Sequence, residues 1–370
     1  ELAELGGGDR AGVAAMLMHR REQAIAVMVR GLTAKLSALH AAGELHGIIA
    51  VSGMTGALIA LPAMKAMPFG LPKLLVSGAV SMPIHAEKFA EYFALNDITV
   101  MHAVVDTVGM NALVRTLAMN GANAISGMVE KGAAAAADSK PSIALTEFGF
   151  CDKGAHYIRE LLRDNFEIVS FHAQGLGDRA AMELIPQSHF RAFIDLVPGA
   201  FSEYLLGGNR GIAGPGRLEI VSRLAIPYIL CPGGFDMISC GPIERSDGDD
   251  SLWKSRNLAE RKLYIQEHPR VQARMSAGEM ESVASAAADS LNRYIDKSRV
   301  KVVIPTRGFS SLSVEGGPLS DAESDKVFAA VLKLRLDFEI EVIEIDTDIN
   351  SPVYAKAVTD TLLQMLRARS

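Results

Sequence analysis

The chain has 370 residues, of which 49% are hydrophobic and 22% are charged, and its formal net charge is −6. This length exceeds that of most single-core domains, so we expect two domains. The acidic balance argues against the broad basic surface of proteins that bind nucleic acids directly. Its three cysteines are too few for a disulfide framework, and no apolar run approaches the roughly 18 residues of a membrane span. We therefore expect a cytoplasmic protein with no membrane partner.

The N-terminal region up to Ala42 carries no strand pattern. Apolar residues recur at helical spacing from Arg10 onwards, and Asp9 is a suitable N-cap. An α/β domain usually opens with a strand, and the first strand pattern here begins near Ile48. Either an opening strand is missing from the sequence or the sheet begins at Ile48, and both interpretations stay open.

The stretch 47–59 predicts a strand, a tight turn and the start of a helix, with the turn at Gly53-Met54-Thr55-Gly56. The backbone N–H groups of such a turn can approach an anion closely, and Thr55 adds a hydroxyl. No Lys follows the second glycine, so the phosphate-loop pattern is not satisfied. A cradle for an anion or nucleotide and an ordinary turn between strand and helix are both consistent with this stretch.

The first predicted strand ends in Ser52 and Gly53, and two further predicted strands also end in small or polar residues. Ser77 and Gly78 end the second strand, and Asp106, Thr107 and Gly109 follow the third. Because parallel strands end at the same edge of a sheet, we expect these turns and the first glycine turn to border one cleft for an anionic ligand.

An alanine-rich stretch closed by a proline, at 131–141, predicts a linker, and we place the domain boundary at 140. The domains are then a nucleotide-binding α/β subdomain at 1–140 and a second α/β subdomain at 141–370. Strand and helix patterns alternate in both, which predicts an α/β fold with two Rossmann-like, doubly wound parallel sheets. The predicted strands of the second domain lie at 142–149, 166–172, 190–196, 228–231, 301–305 and 339–345, and its main predicted helices at 155–164, 277–295, 322–334 and 353–366.

One loop of the second domain fits the dinucleotide fingerprint. The pattern Gly-x-Gly-x-x-Ala at Gly175 and Gly177 follows a predicted strand, and Asp195 stands where the pattern expects an acidic residue. The loop follows the second strand of its domain rather than the first, so NAD binding is the weaker alternative. Gly233 and Gly234 form another glycine turn after a predicted strand and are further candidate ligand residues.

Three charged residues at predicted strand ends are candidates for catalysis. Glu147 and Asp236 are placed for acid or base chemistry or for holding Mg²⁺, and Arg307 offers a cation to a carboxylate or phosphate. A solvated surface arginine is the competing interpretation of Arg307. A buried apolar role is favoured over a nucleophilic one for Cys231, and a structural hydrogen bond over metal ligation for His102. The His and Cys spacings match no zinc motif, and no metal site is predicted.

Several short motifs occur in order along nearly the whole chain, mostly at the ends of predicted strands. They are Leu45-His46-Gly47-Ile48-Ile49, Gly53-Met54-Thr55-Gly56, Pro72-Lys73-Leu74-Leu75-Val76-Ser77, Asp97-Ile98-Thr99-Val100-Met101, Val105-Asp106-Thr107-Val108-Gly109-Met110-Asn111, Phe171-His172-Ala173-Gln174-Gly175, Pro232-Gly233-Gly234-Phe235-Asp236-Met237 and Pro305-Thr306-Arg307-Gly308. This set resembles the Tm-1-like ATP-binding family. The resemblance implies two Rossmann-like subdomains, ATP binding and a homodimer. That family opens with a strand and a Thr-x-Asp-Thr-Lys turn, which this sequence lacks.

The first functional hypothesis is a nucleotide-binding protein that holds ATP, with or without Mg²⁺, or another anionic small molecule. Its ligand residues are Gly53, Met54, Thr55, Gly56, Ser77, Gly78, Asp106, Thr107 and Gly109, with Gly175, Gly177, Gly233 and Gly234 as further candidates. The alternative is a metabolic enzyme whose substrate lies between the subdomains, near Glu147, Asp236 and Arg307. A protein-interaction module is the third hypothesis, because the plant namesake of the family acts by binding a viral replication protein.

Overall fold

The computed structural model describes residues 1–82, 86–132, 140–187 and 190–368 of the chain. They form two compact units, unit 1 (Glu1–Asp138) and unit 2 (Ser139–Ser370). Each unit has a parallel sheet with helices packed on both faces, so the predicted Rossmann-like α/β fold is confirmed. Most of the predicted linker, at 133–139, lies outside the described residues.

Unit 1 contains three parallel strands, β1 (Ile48–Val51), β2 (Lys73–Ser77) and β3 (Ile98–His102). Its helices are α1 (Leu2–Leu5), α2 (Arg10–His19), α3 (Arg21–Ala41), α4 (Met54–Lys65), α5 (Ala86–Leu95) and α6 (Ala112–Gly132). The sheet order is β1-β2-β3, so strands that are consecutive in sequence are also neighbours in space. Their carboxyl ends consequently lie side by side at one edge.

Apolar residues place helices on both faces of this sheet. Leu75 of β2 packs with α4 and α5 on one face, and the next residue, Val76, packs with α6 on the other. Helix α4 begins directly after Gly53, which confirms the predicted succession of strand, turn and helix. Asp9 caps α2 as predicted, since its Oδ1 accepts a hydrogen bond from the N–H of Gly12 at 2.8 Å.

Within the described part of the chain, α3 is the one helix whose length and hydropathy would allow it to cross a membrane. It has 21 residues and lies near the N-terminus, and 22% of its most apolar window is buried. Core helices and signal sequences meet the same criterion, and α3 packs against α1, α2 and α4. The expectation that no apolar stretch reaches membrane length therefore has one exception, by length and composition.

Unit 2 contains two sheets. Its strands are β4 (Ser142–Glu147), β5 (Glu167–His172), β6 (Phe190–Asp195), β7 (Tyr228–Leu230), β8 (Met237–Ser239), β9 (Leu263–Glu267), β10 (Arg270–Arg274), β11 (Val300–Pro305) and β12 (Glu341–Ile345). Its helices are α7 (Asp152–Leu162), α8 (Leu176–Leu184), α9 (Gly199–Leu206), α10 (Ser251–Ser255), α11 (Ala277–Leu291), α12 (Ala322–Arg335) and α13 (Pro352–Arg367). Six strands form a parallel sheet in the order β12-β11-β7-β6-β4-β5, and three form an antiparallel sheet in the order β8-β10-β9.

The parallel sheet of unit 2 separates two apolar cores. In β4, Ala144 belongs to the core built with α8, α9, α11 and α12, whereas Ile143 and Leu145 belong to the core built with α7 and α13. Both faces of the strand are therefore buried, which explains its continuous apolar run in the sequence.

The sequence patterns do not predict α9, α10 or the antiparallel strands β8 to β10. Strand β8 has only three residues and α9 follows Pro198 directly, so neither offers a long periodic signal. Strand β10 carries the buried polar residues Gln272 and Arg274, which break the apolar alternation expected of a core strand.

Candidate functional site

A cavity of about 300 Å³ lies at the carboxyl ends of the three strands of unit 1. Residues that follow β1, β2 and β3 all line it, because the strands are parallel and end at the same edge. The structure thereby brings together five of the ligand residues predicted from the sequence, Gly53, Met54, Gly78, Asp106 and Thr107.

The turn after β1 supplies the N-terminus of α4 to this cavity. Gly53 is the N-cap and has no side chain, so no side-chain oxygen caps the first N–H groups of the helix. Ser52 precedes it, and its Oγ is buried with no hydrogen-bond partner among the described residues. An uncapped helix N-terminus and a buried hydroxyl without a partner are both suited to the oxygen atoms of an anion.

Two glycines keep this edge of the sheet open. Neither Gly53 nor Gly78 has a positive φ, and a Cβ atom added to either would meet no atom of the described residues within 4 Å. Neither backbone conformation nor packing therefore requires glycine at these positions. Gly56 is different, because a Cβ there would lie 2.4 Å from Cβ of Ser52, so its glycine allows α4 to pack closely on the end of β1.

The loop after β3 carries Asp106 and Thr107 to the wall of the cavity. Val104 in this loop has a φ of +63°, an unusual conformation for a β-branched residue. The N–H of Val105 donates to the carbonyl oxygen of Ala103 at 2.6 Å, which closes a γ-turn around Val104. Strained turns of this kind concentrate at functional loops, where the surrounding structure fixes an unfavourable conformation.

His102 also lines the cavity, at the end of β3. Its Nδ1 lies 3.2 Å from Oγ of Ser81 and 3.4 Å from the carbonyl oxygen of Ser77, so the predicted structural hydrogen bond is present. The sequence analysis missed the second role of this residue, its position on the cavity wall.

Four predicted ligand residues of unit 1 do not line this cavity: Thr55, Gly56, Ser77 and Gly109. Ser77 is fully buried, and its Oγ accepts a hydrogen bond from the N–H of Ala79 at 3.2 Å, so it shapes the turn after β2. Thr55 accepts a hydrogen bond from Arg21 of α3. Gly109 has a φ of +72°, so the left-handed backbone conformation of its turn explains the glycine.

In unit 2, packing accounts for the glycine loop at Gly175 and Gly177. A Cβ on Gly177 would lie 1.9 Å from the carbonyl oxygen of His172, and Gly175 has a φ of +84°. The N–H of Gly175 already donates to Oδ2 of Asp178 at 2.8 Å. This loop is therefore closed by the protein's own atoms.

The glycine turn after β7 is packed in the same way. A Cβ on Gly233 would lie 2.2 Å from the carbonyl oxygen of Leu196, and Gly234 has a φ of +76°. Close approach of two backbone segments and a left-handed conformation thus require these glycines.

Asp195, the acidic residue of the dinucleotide pattern, belongs to a fully buried network. Its carboxylate accepts hydrogen bonds from Arg217 at 2.7 and 2.8 Å, from the hydroxyl of Tyr228 at 2.9 Å and from Oγ1 of Thr146 at 2.7 Å. Arg217 also donates to Asp178 at 2.6 Å. Burial opposes the charge of Arg217, but the two carboxylates outweigh it and raise the pKa of the guanidinium. Asp195 is therefore occupied by a structural network and has no free oxygen for a ribose.

Two of the three candidate catalytic residues are held in ion pairs. Glu147 accepts a hydrogen bond from Arg159. Arg307 forms a bidentate pair with Asp346, at 2.7 Å from Nε and 2.6 Å from Nη2, and both side chains are exposed. Hydrogen bonds and charge attraction in this pair raise the pKa of Arg307 and lower that of Asp346.

The third candidate, Asp236, is fully buried. Its Oδ2 accepts a hydrogen bond from Oγ of Ser310, and its Oδ1 has no partner within the described residues. Asp325 lies nearby and pairs with Arg274 of β10. Burial raises the pKa of Asp325 to about 6, and the attraction of Arg274 offsets only part of that effect.

Comparison with known sequences relates both units to one family. The N-terminal domain of the uncharacterised protein family UPF0261 matches residues 2–134, and the C-terminal domain of the same family matches residues 140–366. The chain belongs to the UPF0261 family.

Similar UPF0261 sequences occur in bacteria. A UPF0261 protein of Clostridium tetani is 31% identical over 348 residues, which cover 94% of this chain and 82% of the relative. A UPF0261 protein of Mesorhizobium japonicum is 31% identical over 321 residues, with 85% and 76% of the two chains covered.

A plant protein is similar at lower identity. The ToMV resistance protein Tm-1(GCR237) of Solanum lycopersicum is 25% identical over 353 residues, which cover 93% of this chain and 45% of the tomato protein. The predicted likeness to Tm-1 proteins is thus confirmed as sequence similarity, over less than half the length of the tomato protein.

The three cysteines of this UPF0261 chain are buried and form no disulfide. Burial raises the pKa of Cys231 to about 12, with a hydrogen bond to Tyr354 acting in the opposite direction. The thiol is therefore protonated at neutral pH and poorly suited to nucleophilic attack, and the predicted buried role is confirmed.

Sequence reasoning missed Val104 in unit 1 and Arg217 in unit 2. It placed Ser52 at a strand end that borders the expected cleft but did not name it as a ligand residue. Nothing comparable marked Arg217, which follows the glycine-rich segment 207–216. Its two carboxylate partners are distant in sequence.

Proposed function

We propose that unit 1 of this UPF0261 chain binds a nucleotide, with ATP as the first candidate, in the cavity at the ends of β1, β2 and β3. The observation that supports the proposal is the convergence of three strand ends on one cavity, with Gly53 and Gly78 leaving space and the Oγ of Ser52 unpartnered among the described residues. Its volume of about 300 Å³ is at the lower end of small-molecule sites and suits the phosphate groups better than a whole nucleotide.

The charge of the cavity favours a nucleotide that carries Mg²⁺. Asp106 lines the cavity, and the described lining contains no Lys or Arg. A bare triphosphate would meet this carboxylate as a like charge. Magnesium is commonly held by one or two carboxylates together with substrate phosphates. We therefore assign Asp106 to the metal ion, and Ser52, Thr107 and the first N–H groups of α4 to phosphate oxygens.

Binding of Mg·ATP by isothermal titration calorimetry tests the proposal. The Gly78→Ala variant should fold normally, because the new methyl group meets no atom of the described residues within 4 Å, and should bind at least about tenfold more weakly, because it takes up ligand space. Gly278→Ala in unit 2 is the matched control, since a Cβ there also meets nothing within 4 Å. Absence of binding to the wild-type chain at millimolar Mg·ATP would overturn the proposal.

A second variant separates metal-mediated binding from direct binding. Asp106→Asn should weaken Mg·ATP binding about tenfold or more if the carboxylate acts through the ion. Tighter binding of metal-free ATP by this variant would instead mean that the carboxylate repels the phosphates directly. The substitution lowers the affinity for ATP in the first case and raises it in the second. Titration of ATP with Mg²⁺ and again with EDTA therefore distinguishes the two cases.

The alternative of a metabolic enzyme has less support. Glu147 and Arg307 are engaged in ion pairs, and Asp236 is fully buried. A product assay with phosphorylated substrates on Asp236→Asn would revive this alternative if turnover were present in the wild type and absent in the variant.

A cytoplasmic location, a homodimer and a protein-interaction role complete the proposal, by analogy with the Tm-1-like proteins. Light scattering after gel filtration checks the assembly, since a homodimer has twice the chain mass of 39.5 kDa. A monomeric mass over the micromolar range would contradict that part alone.

A further inference from the structure

Unit 1 contains a second and larger cavity, a groove of about 800 Å³ formed by α3, α4 and α5. Among the described residues, it shares only Met54 with the lining of the cavity at the strand ends. The groove lies beside α4 from Met54 to Pro62, whereas the smaller cavity lies beyond the ends of the strands. The proposed nucleotide site therefore leaves this groove unused.

The floor of the groove is apolar. Ile25 and Val29 lie one turn apart on α3, and Leu58 and Pro62 lie one turn apart on α4, so each pair presents one continuous strip. All four side chains are only half-buried. The strip on α4 from Thr55 to Pro62 is about 10 Å long, since each helical residue rises by 1.5 Å.

One end of this strip carries a hydroxyl group and a cation. The guanidinium of Arg21 donates a hydrogen bond to Oγ1 of Thr55, which holds the cation beside the first turn of α4. Lys88 and Arg30 also line the groove, but Arg30 lies nine residues beyond Arg21 on α3, and its Nε donates to the carbonyl oxygen of Gly6 at 3.1 Å. Among the described lining residues there are three cations and one carboxylate, Glu22, so this part of the lining carries a net positive charge.

A positive end that leads into an apolar strip matches a ligand with one anionic head and a short apolar tail. We infer that the groove binds a medium-chain carboxylate, with its head at Arg21 and Thr55 and its tail along Leu58 and Pro62. The open apolar floor provides no hydrogen-bonding side chains for a base or a sugar, so a nucleotide fits it poorly. Burial of the tail and pairing of the head supply the affinity.

A chain-length series tests this inference. Octanoate, decanoate and dodecanoate are titrated calorimetrically into the full chain below their micelle concentrations. Affinity should rise by about two- to fourfold for each methylene until the tail covers the strip, because each buried methylene contributes a fixed transfer free energy. Decanol should bind about tenfold more weakly than decanoate, and decyltrimethylammonium should not bind.

Variants locate the site. Ile25→Glu and Val29→Glu place a carboxylate in the groove at half-buried positions outside the apolar cores and should weaken decanoate binding at least about tenfold. Leu113→Glu is the matched control, an exposed apolar residue of α6 on the opposite face of the sheet, and should bind like the wild type. Gly78→Ala should also leave decanoate binding unchanged, so failure of the nucleotide site and failure of this groove are distinguishable.

Three results of the titrations would overturn the inference. They are absence of decanoate binding to the wild type, equal binding of decanol and decanoate, and equal loss of binding in Leu113→Glu. Binding that appears only with vesicles of anionic lipid would assign the groove to a membrane surface instead of a free carboxylate and would overturn it too.

Discussion

The carboxyl edges of the two parallel sheets differ in what lies beside their glycines. In the described part of unit 1, Gly53 and Gly78 have no neighbouring atom within 4 Å of the position of a Cβ. In unit 2, a Cβ on Gly177 or Gly233 would strike a backbone carbonyl oxygen. Similar glycine turns in the sequence therefore have two physical causes, open space and close packing. A glycine motif therefore supports a ligand site only after close packing has been excluded as the reason for the glycine.

The largest effect is expected at the buried network of unit 2. Arg217→Met leaves Asp195 and Asp178 buried without their cation and should destabilise unit 2 by about 3–5 kcal/mol. Urea unfolding followed by the fluorescence of Trp253 measures this, because it is the only tryptophan and is buried in unit 2. The exposed, ion-paired Arg163 provides a control, and Arg163→Met should keep the wild-type midpoint. A wild-type urea midpoint for Arg217→Met would contradict the comparison. It would mean that the carboxyl edge of the unit 2 sheet does not depend on the buried ion pairs of Arg217.

A pH-dependent effect is expected next, at Asp325. Its folded pKa of about 6 lies above the ordinary value of 3.8, so the folded chain keeps a proton that the unfolded chain loses between these values. The stability of unit 2 should therefore fall as the pH rises from about 4 through 6, by up to roughly 3 kcal/mol. Asp325→Asn should remove this component. The check is the difference in urea midpoint between wild type and variant, at pH about 4 and about 7, and an equal difference at both would contradict the prediction.

A matched pair of glycine substitutions tests the comparison most directly. Gly177→Ala should destabilise the chain by about 1–3 kcal/mol, because the methyl group overlaps the carbonyl oxygen of His172. Gly78→Ala should change stability by less than about 0.5 kcal/mol. Thermal unfolding by far-ultraviolet circular dichroism reports both. Equal destabilisation by the two variants would mean that the unit 1 edge is packed as closely as that of unit 2.

The smallest effect is expected at the strained turn after β3. Val104→Gly should stabilise unit 1 by about 1 kcal/mol, because glycine adopts a φ of +63° without steric conflict. The same change should loosen the loop that carries Asp106 and weaken nucleotide binding. Hydrogen exchange of the β3 amides, Ile98–His102, measures the first effect, because exchange in the loop itself would report the loosening. Faster exchange throughout β3 would show that Val104 supports the sheet instead of straining the loop.

Much of the fold followed from local patterns. The strand, turn and helix around Gly53 and the cap at Asp9 were predictable because their signals lie within a few residues of one another. The antiparallel strand β10 was not predictable, because polar residues such as Gln272 and Arg274 are expected at the surface, and only the tertiary structure shows that they are buried. Local pattern therefore fails where partners distant in sequence decide burial.

The candidate site was predictable in outline only. Parallel strands that end in small or polar residues indicated a shared edge, and Gly78 and Asp106 do line one cavity. The unpartnered hydroxyl of Ser52 and the closed state of the Gly177 loop depend on atoms that only the tertiary structure brings near. Sequence reasoning therefore treated the open turn at Gly53 and the packed loop at Gly177 alike, as candidate ligand residues.

The strand order of the two sheets bears on how the chain folds as it is synthesised. In unit 1 each strand pairs with its immediate successor, so its sheet can close as soon as β3 leaves the ribosome. In unit 2, β7 pairs with β11 on one side, and the whole antiparallel sheet and α11 are synthesised between these two strands. Nascent unit 2 is therefore expected to expose apolar strands for longer, and to be the part of the protein that depends on chaperones.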